Sequence, residues 1–204
     1  MSPNVLRRNP ESHRAILDAA YQLALELGPA KVTIEAIAAR AGVGKQTIYR
    51  WWPSKGAVLL DTLNNAVGTM IDLPDTGDLL ADLRTQLTSV AELFNRPDFS
   101  RYYTGLIAEA QSDPEVAAAL ADMLVARVER VQRQRLSTAQ QRGQIRADLD
   151  VTTAVEMLYG PLYYRFLLHT APLSAEHVDK IIDTAFRGLV RPTADKAPAD
   201  VESP

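Results

Sequence analysis

Thr33-Ile-Glu-Ala-Ile-Ala-Ala-Arg-Ala-Gly-Val-Gly-Lys-Gln-Thr-Ile-Tyr-Arg-Trp-Trp-Pro-Ser-Lys55 is the stretch on which the fold turns. The Thr33 hydroxyl suits an N-cap and Glu35 suits the positive end of a helix. Ile34, Ile37, Ala38 and Ala41 then recur at helical spacing and give a short helix one apolar face. Gly42 supplies a left-handed residue that lets two helices meet steeply. Val43 plugs the corner, and a second helix begins near Gly44 or Lys45. Pro53 removes a backbone donor where that helix must stop. The sum is a helix-turn-helix.

Turning about 100° per residue sorts the sides of the second helix. Ile48 and Trp52 face the core with Trp51 on their flank. Gln46, Thr47, Tyr49 and Arg50 point outward, and Lys45 lies at the exposed N-terminal end. Donors, an acceptor, a methyl and an aromatic ring together match the chemistry of base edges in a major groove. Lys55 opens the next helix, where its ammonium and the backbone amides would together hold a phosphate. Gln46, Tyr49 or Arg50 taken alone reads more readily as solvated surface; the set behind this turn reads as a DNA contact.

The run also resembles the DNA-binding domain of TetR-type transcriptional regulators: a Thr-apolar helix, Ala-Gly-Val, Thr-aliphatic-Tyr, an aromatic pair, then Ser-Lys. The match covers roughly residues 13 to 62. It implies an all-α homodimer whose larger C-terminal domain binds an effector and releases DNA. By position, Lys45, Gln46, Thr47, Tyr49 and Arg50 would meet bases or neighbouring phosphates, and Thr33, Trp51 and Lys55 would hold the DNA backbone. Three residues depart from the pattern. Gly44 replaces a Ser or Thr cap, Gly56 an acidic residue and Trp52 the usual Phe.

Working outward, residues 1–10 follow no periodic pattern and read as a flexible arm. Arg7 and Arg8 there either reach into a minor groove or only solubilise the chain. From Ser12 to Leu27, apolar residues at 16, 19, 20, 23, 24 and 27 make an amphipathic helix ended by Gly28 and Pro29. It completes a three-helix DNA-binding domain over residues 11–57. His13 reads as an exposed polar residue or a phosphate neighbour. The net charge of −3 suits a DNA binder only once it is divided. Residues 1–57 hold eight Lys/Arg against four acids, and the rest holds 14 against 21. A basic head sits on an acidic body.

Residues 58–191 read as a helical effector-binding and dimerisation domain, and 192–204 as a disordered tail by composition. Ser54 caps a fourth helix reaching about Asp72 through Val58, Leu63, Val67 and Met70. It belongs to both halves and is the element through which they would couple. Leu73 to Gly77 is a loop. Leu79 to Phe94 forms a fifth helix, and Asn95-Arg-Pro-Asp98 breaks the chain before a sixth from Phe99 to Gln111. Pro114 opens a long seventh helix, with Val116, Leu120, Leu124, Val128 and Val131 on one stripe to about Arg142, closed by Gly143. Arg127, Arg130, Arg133 and Arg135 near its end are read as favourable to the negative helix terminus rather than as a second nucleic-acid site. Thr152 to His169 is apolar on nearly all sides, with a kink expected at Gly160-Pro161. Ala175 to Leu189 carries a single apolar seam. These last two helices and their symmetry mates would form a four-helix dimer interface through Tyr164, Leu168, Val178, Ile182 and Phe186. The whole is an all-α chain of about nine helices.

Phe94, Tyr102, Tyr103, Met123, Tyr159 and Tyr163 are candidate walls of an effector pocket for a lipophilic or aromatic small molecule, with core packing as the alternative. Glu109 and Gln111 would add polarity to it or face solvent. No run approaches the roughly 18 apolar residues of a membrane helix, and no signal peptide opens the chain. The sequence contains no cysteine, which excludes disulfides and thiolate zinc sites and accords with a cytoplasmic protein. No cofactor, metal site or membrane partner is expected. His13, His169 and His177 lie far apart, and no catalytic grouping or phosphate loop accompanies them. The expected function is a sequence-specific transcriptional regulator of double-stranded operator DNA, a repressor released by an effector. The alternatives are a constitutive DNA-binding dimer and, well behind, an all-helical enzyme.

Overall fold

A computed structural model describes residues 10–67, 74–124 and 130–189. All regular structure among the described residues is helical. The helices are α1 (Pro10–Leu27), α2 (Ile34–Ala41), α3 (Lys45–Tyr49), α4 (Lys55–Val67), α5 (Leu79–Asn95), α6 (Pro97–Ala110), α7 (Pro114–Met123), α8 (Arg130–Gln141), α9 (Val151–Leu168) and α10 (Ala175–Leu189). A single 3₁₀ turn, Pro29–Lys31, links α1 to α2.

The head forms as its local signals dictate. Thr33 Oγ1 accepts the Ala36 amide at 3.1 Å and caps α2. Gly42 takes φ 66° and ψ 31°, and the amide of Val43 reaches back to the Ala38 carbonyl at 3.0 Å. That pairing satisfies the end of α2 and turns the chain into α3. Ile16, Ile37 and Ile48 are fully buried where α1, α2 and α3 meet. α3 stops at Tyr49 rather than at Pro53, because the amides of Trp51 and Trp52 both close on the Ile48 carbonyl at 2.9 Å. Trp52 is buried, and its indole N–H donates to Asp61 on α4 at 3.0 Å, a bond the phenylalanine common in the TetR-type pattern would lack. Ser54 Oγ accepts the Ala57 amide at 3.2 Å and so caps α4.

In the body, α5 packs on α6, α9 and α10, and α8 on α9, while α6 and α7 also meet α4 from the head side. The long seventh helix expected from 114 to 142 is described as two pieces, α7 and α8. Residues 125–129, with Arg127 and Val128, lie outside the described residues, as do the arm with Arg7 and Arg8, Met70 to Leu73 and the tail 192–204. Gly143 ends α8 with φ 69°, and α9 runs through Pro161.

Arg135 is not the exposed helix-end charge expected of it. It is buried, and its guanidinium donates to Asp82 on α5 at 2.8 Å and to the Pro74 carbonyl at 3.3 Å. Asp82 also accepts from the Thr76 hydroxyl at 2.6 Å. Burial pushes the Asp82 carboxyl up, but Thr76 and Arg135 outweigh it and hold the group below its ordinary value. A buried guanidinium survives only because every neighbour on that side answers it.

Candidate nucleic-acid interface and body cavity

Ile48 and Trp52 anchor α3 from below, and Gln46, Tyr49 and Arg50 stand exposed above them, with Thr47 partly so. Tyr49 is 54% exposed, so a large part of an aromatic residue is left open to solvent. The Arg50 guanidinium lies 5.5 Å from the Trp51 ring centre, which stiffens a long side chain before any ligand arrives. Lys45 pairs with Glu35 at 3.1 Å across the turn, and Arg40 binds Glu26 through two bonds of 2.6 and 2.8 Å. The expected outward set is therefore gathered on one side of a short, rigidly seated helix, with Thr33 exposed at the start of α2. Gly44 leaves the first turn of α3 without a side-chain cap.

Lys55 departs from the open phosphate site expected at the start of α4. Its ammonium donates to Glu109 of α6 at 2.8 Å and to the Ala30 carbonyl at 3.3 Å, and both side chains are largely covered. Glu109 is thus neither a cavity wall nor a solvent-facing acid: it is the body's half of an ion pair with the head. Gln111 is exposed.

The same joint holds four more contacts. Tyr21 on α1 donates to Asp98 on α6 at 2.9 Å. Tyr102 on α6, completely buried, donates to the Leu59 carbonyl on α4 at 2.6 Å. Tyr102 accordingly belongs to the joint and not to the cavity wall. A Cβ on Gly105 would stand 2.6 Å from Pro29 Cδ, and one on Gly56 would stand 3.0 Å from Val116 Cγ2. At Gly56, where the TetR-type pattern has an acidic residue, a side chain would press on Val116 of α7.

A cavity of about 360 Å³ opens in the body between α4, α5, α6, α7, α8 and α9. Phe94, Tyr103, Met123, Tyr159 and Tyr163 line it, together with Leu63, Val67, Gln132 and Glu156. Phe94 stacks on Phe166 at 4.2 Å, and the hydroxyls of Tyr103 and Tyr163 bond each other at 2.8 Å. Tyr159 donates to Gln86. Burial raises the pKa of Tyr103, Tyr159 and Tyr163, so all three stay neutral hydrogen-bonding groups. Gln132 escaped the sequence reading because its helix is strongly polar and a glutamine there looks like surface.

The expected pairing surface is only partly on the outside. Tyr164 and Leu168 on α9 are 58% and 60% exposed, and Met157 and Leu167 join them. Val178 and Ile182 on α10 are buried within their own protomer, and Phe186 is partly covered. The reason is geometric: α10 has one apolar seam, and it is already spent against α5 and α9. α9, apolar on more sides, has a face left over.

A family model described as tetracyclin repressor-like, C-terminal domain, matches residues 73–185, and one for bacterial regulatory proteins of the tetR family matches residues 16–62. The chain is 31% identical over 190 residues to the uncharacterized HTH-type transcriptional regulator YdeS of Bacillus subtilis (strain 168), covering 93% of this chain and 96% of that one. It is 26% identical over 179 residues to the HTH-type transcriptional regulator AqdR of Rhodococcus erythropolis, covering 83% and 82%. The crystal structure of the TetR family transcription regulator SCO0332 superposes with a TM-score of 0.74 at 36% identity, covering 89% of this chain and 100% of that one. The regulator FadR from Bacillus subtilis, solved in complex with stearoyl-CoA, shares the fold with a TM-score of 0.69 at 20% identity, covering 87% and 100%.

Proposed function

The chain belongs to the tetR family of bacterial regulatory proteins and is a helix-turn-helix transcriptional regulator; from that premise we propose that it is a cytoplasmic, dimeric repressor released from a near-palindromic operator by a small molecule. Residues 11–57 read the DNA and residues 58–191 pair the protomers and hold the effector. Lys45, Gln46, Thr47, Tyr49 and Arg50 meet bases or nearby phosphates, with Thr33 and Trp51 on the sugar-phosphate backbone. The observation that carries this reading is the exposed polar and aromatic face of α3 above a buried Ile48. Lys55 joins the phosphates only when it leaves Glu109, which couples docking of the head to its grip on the body. The dimer closes mainly through α9, around Tyr164 and Leu168.

The effector, lipophilic or aromatic, occupies the cavity beside α4. Its binding favours a tilt of α4 that changes the distance between the two recognition helices, so that both no longer dock at once. Regulation of this kind needs binding and no turnover. Selection of duplexes from a random pool, followed by footprinting, tests the reading. Two half-sites about one DNA turn apart (~34 Å) are the expected result. A pool that returns no preferred sequence, or equal operator affinity for wild type and Tyr49→Ala, overturns the assignment of contacts.

A further inference from the structure

Gln132 is 2% exposed and faces the cavity. Neither its amide nitrogen nor its carbonyl oxygen has a hydrogen-bond partner among the described residues. Buried amides are almost always answered, because stripping them of water without compensation is costly. The tyrosine hydroxyls bordering this space each have one partner already: Tyr103 and Tyr163 share a single hydrogen bond, and Tyr159 donates to Gln86. The Gln132 amide lies close enough to the Tyr159 hydroxyl to favour its ionised form, but without hydrogen-bond geometry. Of the other polar side chains lining this largely apolar, aromatic chamber, Asn64 is only partly buried and has a contact of its own, and Glu156 is exposed. Among the described residues Gln132 is thus the buried one left to offer a donor and an acceptor side by side.

Charge narrows the class further. No Lys, Arg or His lies among the described residues that line the cavity, and the acid at its rim, Glu156, is exposed. Against these walls a carboxylate or phosphate ligand would be desolvated with no cation among the described lining residues to balance it. We propose that the cavity selects uncharged, flat, mainly apolar molecules that carry an adjacent hydrogen-bond donor and acceptor, such as a carboxamide or lactam, paired with the Gln132 side chain. Gln132 is the residue that sets this specificity. The inference rests on the cavity being the effector site and adds the ligand's chemical class.

Equilibrium dialysis of the full-length protein against 2-naphthamide, 2-methylnaphthalene and 2-naphthoate tests it, since the three share one ring system and differ in the polar group. Wild type binds the amide about tenfold more tightly than the hydrocarbon, the gain of one well-made hydrogen bond, and binds the carboxylate weakest. Gln132→Leu erases the amide's advantage and leaves the hydrocarbon bound at least as well. That variant removes an unanswered buried amide, so its Tm without ligand holds or rises; Gln132→Met gives the same comparison should leucine not fit. Equal binding of amide and hydrocarbon by wild type overturns the inference alone and means that water answers Gln132. A carboxylate bound tightest, or an amide preference that survives in both variants, overturns it as well. If none of the three compounds binds, the effector reading falls and takes the inference with it.

Discussion

On α3 the side chains proposed to meet DNA stand outside the core that Ile48 closes, whereas in the body Tyr103, Gln132 and Tyr159 turn inward around a void. Both regions are amphipathic helices packed by the same rule, yet their chemistry lies on opposite sides of the apolar layer. An outward group is solvated until its partner arrives and costs the fold almost nothing. An inward group costs the fold until it is answered, which is why the body is threaded with paired hydroxyls, a buried ion pair and tyrosines held neutral, and why an unanswered one such as Gln132 stands out. The head is built to be read from outside, and the body to be completed from within.

This contrast is breakable, beginning with the largest effect. Asp82→Ala takes the buried partner from the Arg135 guanidinium, leaving it the half-exposed Asp75 at 3.4 Å and the Pro74 carbonyl, and is expected to cost about 3 kcal/mol in chemical denaturation. A loss below ~1 kcal/mol would mean that the body tolerates unanswered polar groups as easily as the head does. Next, Tyr164→Asp combined with Leu168→Asp weakens dimerisation by about thirtyfold or more in sedimentation equilibrium, roughly 2 kcal/mol at a contact of this kind. Ile182→Val, inside the protomer, leaves the dimer unchanged and lowers stability instead.

Tyr49→Ala sharpens the contrast from the head's side. It is expected to take about 1–3 kcal/mol from discrimination between operator and random duplex, measured by competition binding, while stability stays within ~0.5 kcal/mol. The smallest effect is one of acidity. The Arg96 hydrogen bond, opposed by burial and helped by Tyr21, holds the Asp98 carboxyl down to about 2 from an ordinary 3.8. A lowered carboxylate stabilises above its ordinary value and loses that contribution as pH falls from about 3.8 towards 2. Because the Asp98 side chain is 40% exposed, the gain is under ~1 kcal/mol. Melting curves across that range should fall less steeply for Asp98→Asn than for wild type.

The same division explains what was legible beforehand. Thr33, Gly42, Ser54 and Gly143 act through bonds to residues three to five positions away, so the chain's own order displays them. The outward face of α3 was equally plain, because polar residues on one side of a periodic helix break no rule. Contacts between distant segments were hidden. Glu109 claims Lys55 across 54 positions and Leu59 claims Tyr102 across 43, and no local pattern foretells either. α10 misled for another reason. Its seam announces burial without saying whether the partner is α5 of the same protomer or a second copy. Gln132 is the extreme case, a polar residue whose burial only the assembled walls reveal.

The contact of Pro29 with Gly105 bears on protein engineering. Domain swaps treat a reader and a sensor as interchangeable plugs joined by one cord. Here the cord is not the whole connection, since a ring edge on the reader is fitted against a bare backbone on the sensor with no space for a methyl group. A hybrid carrying a foreign reader on this sensor will respond to its inducer only if the graft also brings a residue at position 29 that fits that notch. One that does not will be lifted off its seat and become deaf.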